Sequence, residues 1–93
     1  MSAILPELLR KLEHSAWQHK GAAQRMDLRS GLRVDLLAVM DEGLHLQISR
    51  EKVYPSSTEW GVVLRDGGWE VVGFPHLMSK AGRCYMRAKV VKL

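Results

Sequence analysis

Apolar residues recur every three or four positions near the N-terminal end of this chain, and every second position through much of the rest. Leu5, Leu8, Leu9, Leu12 and Ala16 form one stripe, with Glu7, Arg10, Lys11, Glu13 and His14 mostly opposite. That spacing predicts an amphipathic helix over about 6–19, one face of which needs a sheet or second helix to cover it. Pro6 suits the first helical position and Gly21 a stop beyond the last turn. Residues 22–28 read equally as a loop or a short second helix. In a helix, Arg25 and Arg29 would share a face.

The stretch LRVDLLAVMDEGLHLQISR predicts a β-hairpin. Val34, Leu36, Ala38 and Met40 alternate with Asp35, Leu37 and Val39. Leu44, Leu46 and Ile48 alternate with His45, Gln47 and Ser49. A three-residue loop at 41–43, with Gly43 in the left-handed position, pairs Met40 with Leu44, Ala38 with Leu46, and Leu36 with Ile48. A polar loop follows from 51 to 59.

WGVVL and WEVVG, flanking Asp66-Gly67-Gly68, predict a second hairpin. A tight turn at Asp66-Gly67 would set Trp60 opposite Gly73, Val62 opposite Val71, and Leu64 opposite Trp69. Trp60 then reads as core rather than a binding platform. A competing pattern runs through the same residues. Ser56 or Ser57 with Glu59 matches a capping box, which would put Trp60 in a helical turn. FPHLMSKAGR reads as a connection with room for one helical turn. CYMRAKVVKL closes the chain as a strand, with Cys84, Met86, Ala88 and Val90 on one side and Tyr85, Arg87 and Lys89 on the other.

These elements make an α+β domain spanning 1–93. The N-terminal helix packs on a mostly antiparallel sheet of four to five strands. The alternative is a small, partly closed β-barrel with one helix.

Composition narrows the setting more than the activity. The chain has 93 residues and a formal net charge of +4, and lies within the ordinary globular range. No apolar run is long enough to span a bilayer, and residues 1–15 carry no signal-type stretch, so a cytoplasmic location without membrane partners is expected. Cys84 is the single cysteine, which excludes an intrachain disulfide and a cysteine-based zinc cluster. Glu70 is the last acidic side chain, and Lys80, Arg83, Arg87, Lys89 and Lys92 follow it. The basic excess is therefore concentrated at the C-terminal end.

That concentration supplies the leading candidate site. Tyr85, Arg87 and Lys89 on the open side of the last strand would offer two cations beside a stacking ring, as nucleic-acid footprints do. Lys80 and Arg83 would extend the patch, and Arg29 would join it from the cluster Arg25, Arg29 and Arg33. The bland alternative is an edge strand whose charges block unwanted pairing. The expected function is a non-enzymatic binding module for an anionic partner, RNA or DNA. A second reading is a homodimeric interaction module, motivated by surplus apolar residues at Leu37, Val39, Val63, Val72 and Phe74. A third is a small ribonuclease-like enzyme with His45 as general base and an arginine on the phosphate. No metal-ligand spacing, nucleotide loop or cofactor motif is present in the sequence, so neither a metal nor a cofactor is expected.

Overall fold

The computed structural model describes residues 4–93. Helix α1 (Ile4–Gln18) is followed by strands β1 (Gln24–Asp27), β2 (Arg33–Val39) and β3 (Gly43–Glu51). Helix α2 (Ser57–Gly67) and strands β4 (Trp69–Lys80) and β5 (Arg83–Lys92) complete the chain. The five strands form one antiparallel sheet in the order β1-β2-β3-β5-β4. The sheet stays open, with β1 and β4 at its edges, so the barrel alternative does not apply. Both helices pack on one face.

The core follows from strand alternation. Val34, Leu36 and Ala38 of β2, Leu44, Leu46 and Ile48 of β3, and Met86, Ala88 and Val90 of β5 are all buried beneath the helices. From α1 come Leu9, Leu12 and Ala16, at the spacing of a single helical stripe. Each fully buried leucine or valine contributes roughly 1.5–3 kcal/mol relative to exposure. Asp35 and Ser49 are buried on the opposite face of the sheet.

The first hairpin keeps its predicted faces but not its predicted register. Ala38 pairs with Leu44, Leu36 with Leu46, and Val34 with Ile48. The turn is centred one residue earlier, with the Glu42 N–H donating to the Val39 carbonyl and Asp41 at positive φ. Met40 is thereby left exposed instead of facing Leu44. Pairing moves by two residues, an even number, so every side chain stays on its expected face.

The second predicted hairpin is a helix. Ser56 Oγ accepts the Glu59 N–H at 3.1 Å, and the Glu59 carboxylate accepts the Ser56 N–H at 2.9 Å. This capping box satisfies donors that a first helical turn otherwise leaves unpaired. Trp60, Val63 and Gly67 then fall on one buried stripe. Gly68, at φ 72°, caps the far end, donating its N–H to the Leu64 and Arg65 carbonyls. The Asp-Gly-Gly sequence is thus a helix stop, not a strand turn. Trp60 is core, as expected, but through the helix, and none of the Trp60–Gly73, Val62–Val71 or Leu64–Trp69 pairings forms.

Two further elements depart from the sequence reading. Residues 24–27 are an edge strand, neither loop nor helix, with Arg25 opposite Asp35 and Met26 opposite Val34. The predicted connection after Phe74 is the second half of β4, closed onto β5 by a two-residue turn at Ala81 and Gly82, both at positive φ. A bulge between Val72 and His76 interrupts the β4–β5 pairing, with Gly73 at φ 83° and Pro75 inside it.

Polar clamps fix the helices at both ends. Arg50 grips Glu59 with both guanidinium nitrogens, the Nη1 contact at 2.7 Å. These hydrogen bonds, with that from Ser56, hold the Glu59 carboxyl down at about 2. At the other end, the Trp69 indole N–H and Lys92 Nζ both donate to Glu13 Oε1 at 2.9 Å. Lys92 Nζ also reaches the Gly67 carbonyl at 2.8 Å, tying α1, α2, β4 and β5 together.

Candidate anion-binding sheet face

The face of the sheet away from the helices has no element over it among the described residues. Its side chains form rows set by strand register. One row crosses all five strands: Arg25, Asp35, Gln47, Arg87 and His76. Hydrogen bonds join its first four members. Arg25 Nε donates to Asp35 Oδ1 at 2.9 Å, Gln47 Nε2 to Asp35 Oδ2 at 3.4 Å, and Arg87 Nε to Gln47 Oε1 at 3.2 Å. The hydrogen bond to Asp35 raises the Arg25 pKa still further above its ordinary value. The buried Asp35 is therefore paired, and Gln47 relays orientation from it to Arg87.

On one side of this row lies Leu37, His45, Lys89 and Val72. On the other lies Asp27, Arg33, Ser49, Tyr85 and Met78. The predicted trio is thus assembled: Tyr85, Arg87 and Lys89 stand successively on the outer side of β5. Its charges are not equal in status. Arg25 and Arg33 are paired with Asp35 and Asp27 at 2.9 and 2.8 Å. Arg33 in turn holds the Asp27 carboxyl below its ordinary range. Arg87, Lys89 and Lys80 have no carboxylate within 4.0 Å among the described residues, so their charge is not compensated within the sheet.

Arg83 and Arg29 contribute differently. Arg83 lies over the buried Ser49, donating from Nε to its Oγ at 2.8 Å, and approaches Glu51 at 3.9 Å. Its guanidinium is largely used in satisfying the sheet. Lys80 faces Arg83 across the end of the β4–β5 hairpin. Arg29 is exposed in the turn between β1 and β2 and shares no helical face with Arg25. That turn borders a hollow of about 400 Å³ lined by Arg33, Arg50 and Arg83, but the hollow also holds Asp27 and Glu51. Its charges are mutually compensated by these carboxylates and by Glu59.

His45 does not project alone. It lies in a concavity of about 440 Å³ whose lining includes Ala23, Leu37, Val39, Gln47 and Arg87. His45 Nε2 is 3.6 Å from Glu42 Oε1, just beyond hydrogen-bonding range. Sequence reasoning read Leu37 and Val39 as surplus outward apolar residues and did not place them in a common hollow with His45 and Arg87. Their outward positions in the β2 alternation carried the signal, but Ala23 and Glu42, which also line the hollow, are brought there only by folding. No group of three or more His, Cys, Asp and Glu residues able to hold a metal ion occurs among the described residues. No helix among them is long and apolar enough to cross a membrane. No family model matches the chain, and neither a curated protein nor a solved structure matches it.

Proposed function

We propose that this chain is a non-enzymatic binding module whose uncovered sheet face receives an anionic partner, specifically nucleic acid, in the cytoplasm. The observation that carries this reading is the status of Arg87 and Lys89. They stand on the exposed side of β5, beside Tyr85, without carboxylate partners among the described residues. Arg87 is held forward by Gln47, so less side-chain freedom is lost when it meets a phosphate. Lys80 lengthens the patch along the hairpin, and Tyr85 adds a ring on which a base can stack. Arg83 and Arg25 act from behind, by keeping Ser49 and Asp35 satisfied.

Titration of labelled RNA and DNA against the protein across ionic strength tests this. Affinity should fall with salt as counterions are released. Arg87→Glu and Lys89→Glu should each weaken binding and lower the logarithmic salt slope by about one. Absence of binding at low salt, or indifference to both substitutions, overturns the reading. Shortening of the RNA during the same titrations, abolished by His45→Ala, would favour phosphodiester cleavage instead.

A second reading, self-association, is favoured by one observation. Phe74 is 88% exposed on the edge strand β4, with Val72, Leu77 and Met78 also exposed near it. An exposed apolar group of this kind on an edge strand supports a contact between chains. The bulge with Gly73 and Pro75 opposes simple strand addition there, so the contact would be made by side chains. Light scattering over a concentration series decides it, since a monomer at every concentration excludes a homodimer.

A further inference from the structure

The concavity beside Arg87 has features that a phosphate-binding surface alone does not need. Its floor is apolar, built from Leu37 and Val39, which point away from the core that their strand neighbours Leu36 and Ala38 fill. Ala23 walls one side, and two carboxylates also line the concavity: Asp35, which is paired with Arg25, and the exposed Glu42. Arg87 reaches into it, and Lys89 is the lateral neighbour of His45, which also lines it. A volume of about 440 Å³ lies within the ~300–1,000 Å³ typical of small-ligand clefts. The juxtaposition is an apolar floor large enough for one planar group, with cationic donors at one margin.

We infer that this concavity takes a single unstacked nucleotide, its base on Leu37 and Val39 and its phosphate on Arg87 and Lys89. The inference rests on the nucleic-acid reading of the sheet face and deepens it. A duplex offers phosphates but keeps its bases stacked, so it can use the cations and not the floor. Single strands therefore gain a contact that duplexes cannot make. Polar groups at the rim, His45 and Gln47, lie where a base edge would meet hydrogen-bond partners.

The experiment compares a fluorescein-labelled single-stranded RNA with a duplex of equal length by anisotropy at low salt. Two filling variants, Ala23→Trp and Leu37→Trp, are measured alongside. Ala23 is an exposed wall position, so its variant keeps the test valid if Leu37→Trp disturbs folding. The expected result is single-strand binding about tenfold tighter than duplex binding, the gain from covering roughly 55 Å² of apolar floor. Ala23→Trp should erase that preference while leaving duplex affinity unchanged. Equal binding of both forms, or a preference that survives Ala23→Trp, overturns the nucleotide site and leaves a surface that binds phosphates only. Binding of neither form overturns the reading of the face itself, and the nucleotide site with it.

Discussion

Neutralising Glu59 tests the interaction that most clearly separates the observed helix from the hairpin its sequence also allows. The perturbation is Glu59→Gln, which keeps a capping-box side chain at the third helical position but removes the charge gripped by Arg50. Glu59 is depressed from an ordinary 4.5 to about 2. At ~1.4 kcal/mol per pKa unit, this drop corresponds to about 3–4 kcal/mol before screening. The Glu59 side chain is 30% exposed, so solvent and salt screen part of this. About 1–2 kcal/mol is the reasoned magnitude. The sign follows from linkage. A depressed carboxyl contributes stability that is fully present above its unfolded value, and that stability is lost as pH falls through the folded value. Urea midpoints should therefore be recorded from pH 6 to pH 2, with the slope m checked for constancy. The wild type should be more stable than Glu59→Gln by about 1–2 kcal/mol at pH 6, with the difference shrinking below pH 4.5 and closing near pH 2. Parallel pH profiles for the two proteins would refute the reasoning, because the ion pair would then contribute nothing that protonation can remove.

Further outcomes follow from the packing. Gly67→Ala should cost about 1–3 kcal/mol in chemical denaturation, because an added Cβ would overlap the Trp69 ring. Leu46→Ala, at a fully buried position in the central strand, should cost about 2–5 kcal/mol and lower the thermal midpoint. Phe74→Ser should change thermal stability by less than about 0.5 kcal/mol. If the chain self-associates, the same substitution should weaken association in light scattering, since the ring is 88% exposed in the single chain.

Which parts of this fold could be read in advance depended on whether local pattern and tertiary environment agreed. α1 and the β2–β3 hairpin have one dominant period each, so their faces were legible. Only the turn position escaped: Gly43 takes positive φ as expected, but Asp41 does so as well, a conformation that glycine-based turn rules do not assign to it. The segment 57–67 carries two patterns at once. Val62 and Val63 favour a strand, whereas Ser56 and Glu59 favour a helix start. Arg50, nine residues upstream and delivered by β3, supports the helix by binding Glu59.

The candidate site divides along the same line. The alternation of CYMRAKVVKL alone determined that Tyr85, Arg87 and Lys89 would share one side of a strand. Its charge content determined that this side would be basic. Tertiary structure decided which charges remain uncompensated, since Asp35 and Asp27 neutralise Arg25 and Arg33 through register between strands. It also decided that Leu37, Val39 and Ala23 meet Arg87 around one hollow. The physical reason is one of range. Side-chain period is a property of neighbouring residues, whereas charge compensation and concavity depend on which strands lie side by side. That order, β1-β2-β3-β5-β4, is a property of the whole chain, in which the sheet buries the α1 and α2 stripes on a common face.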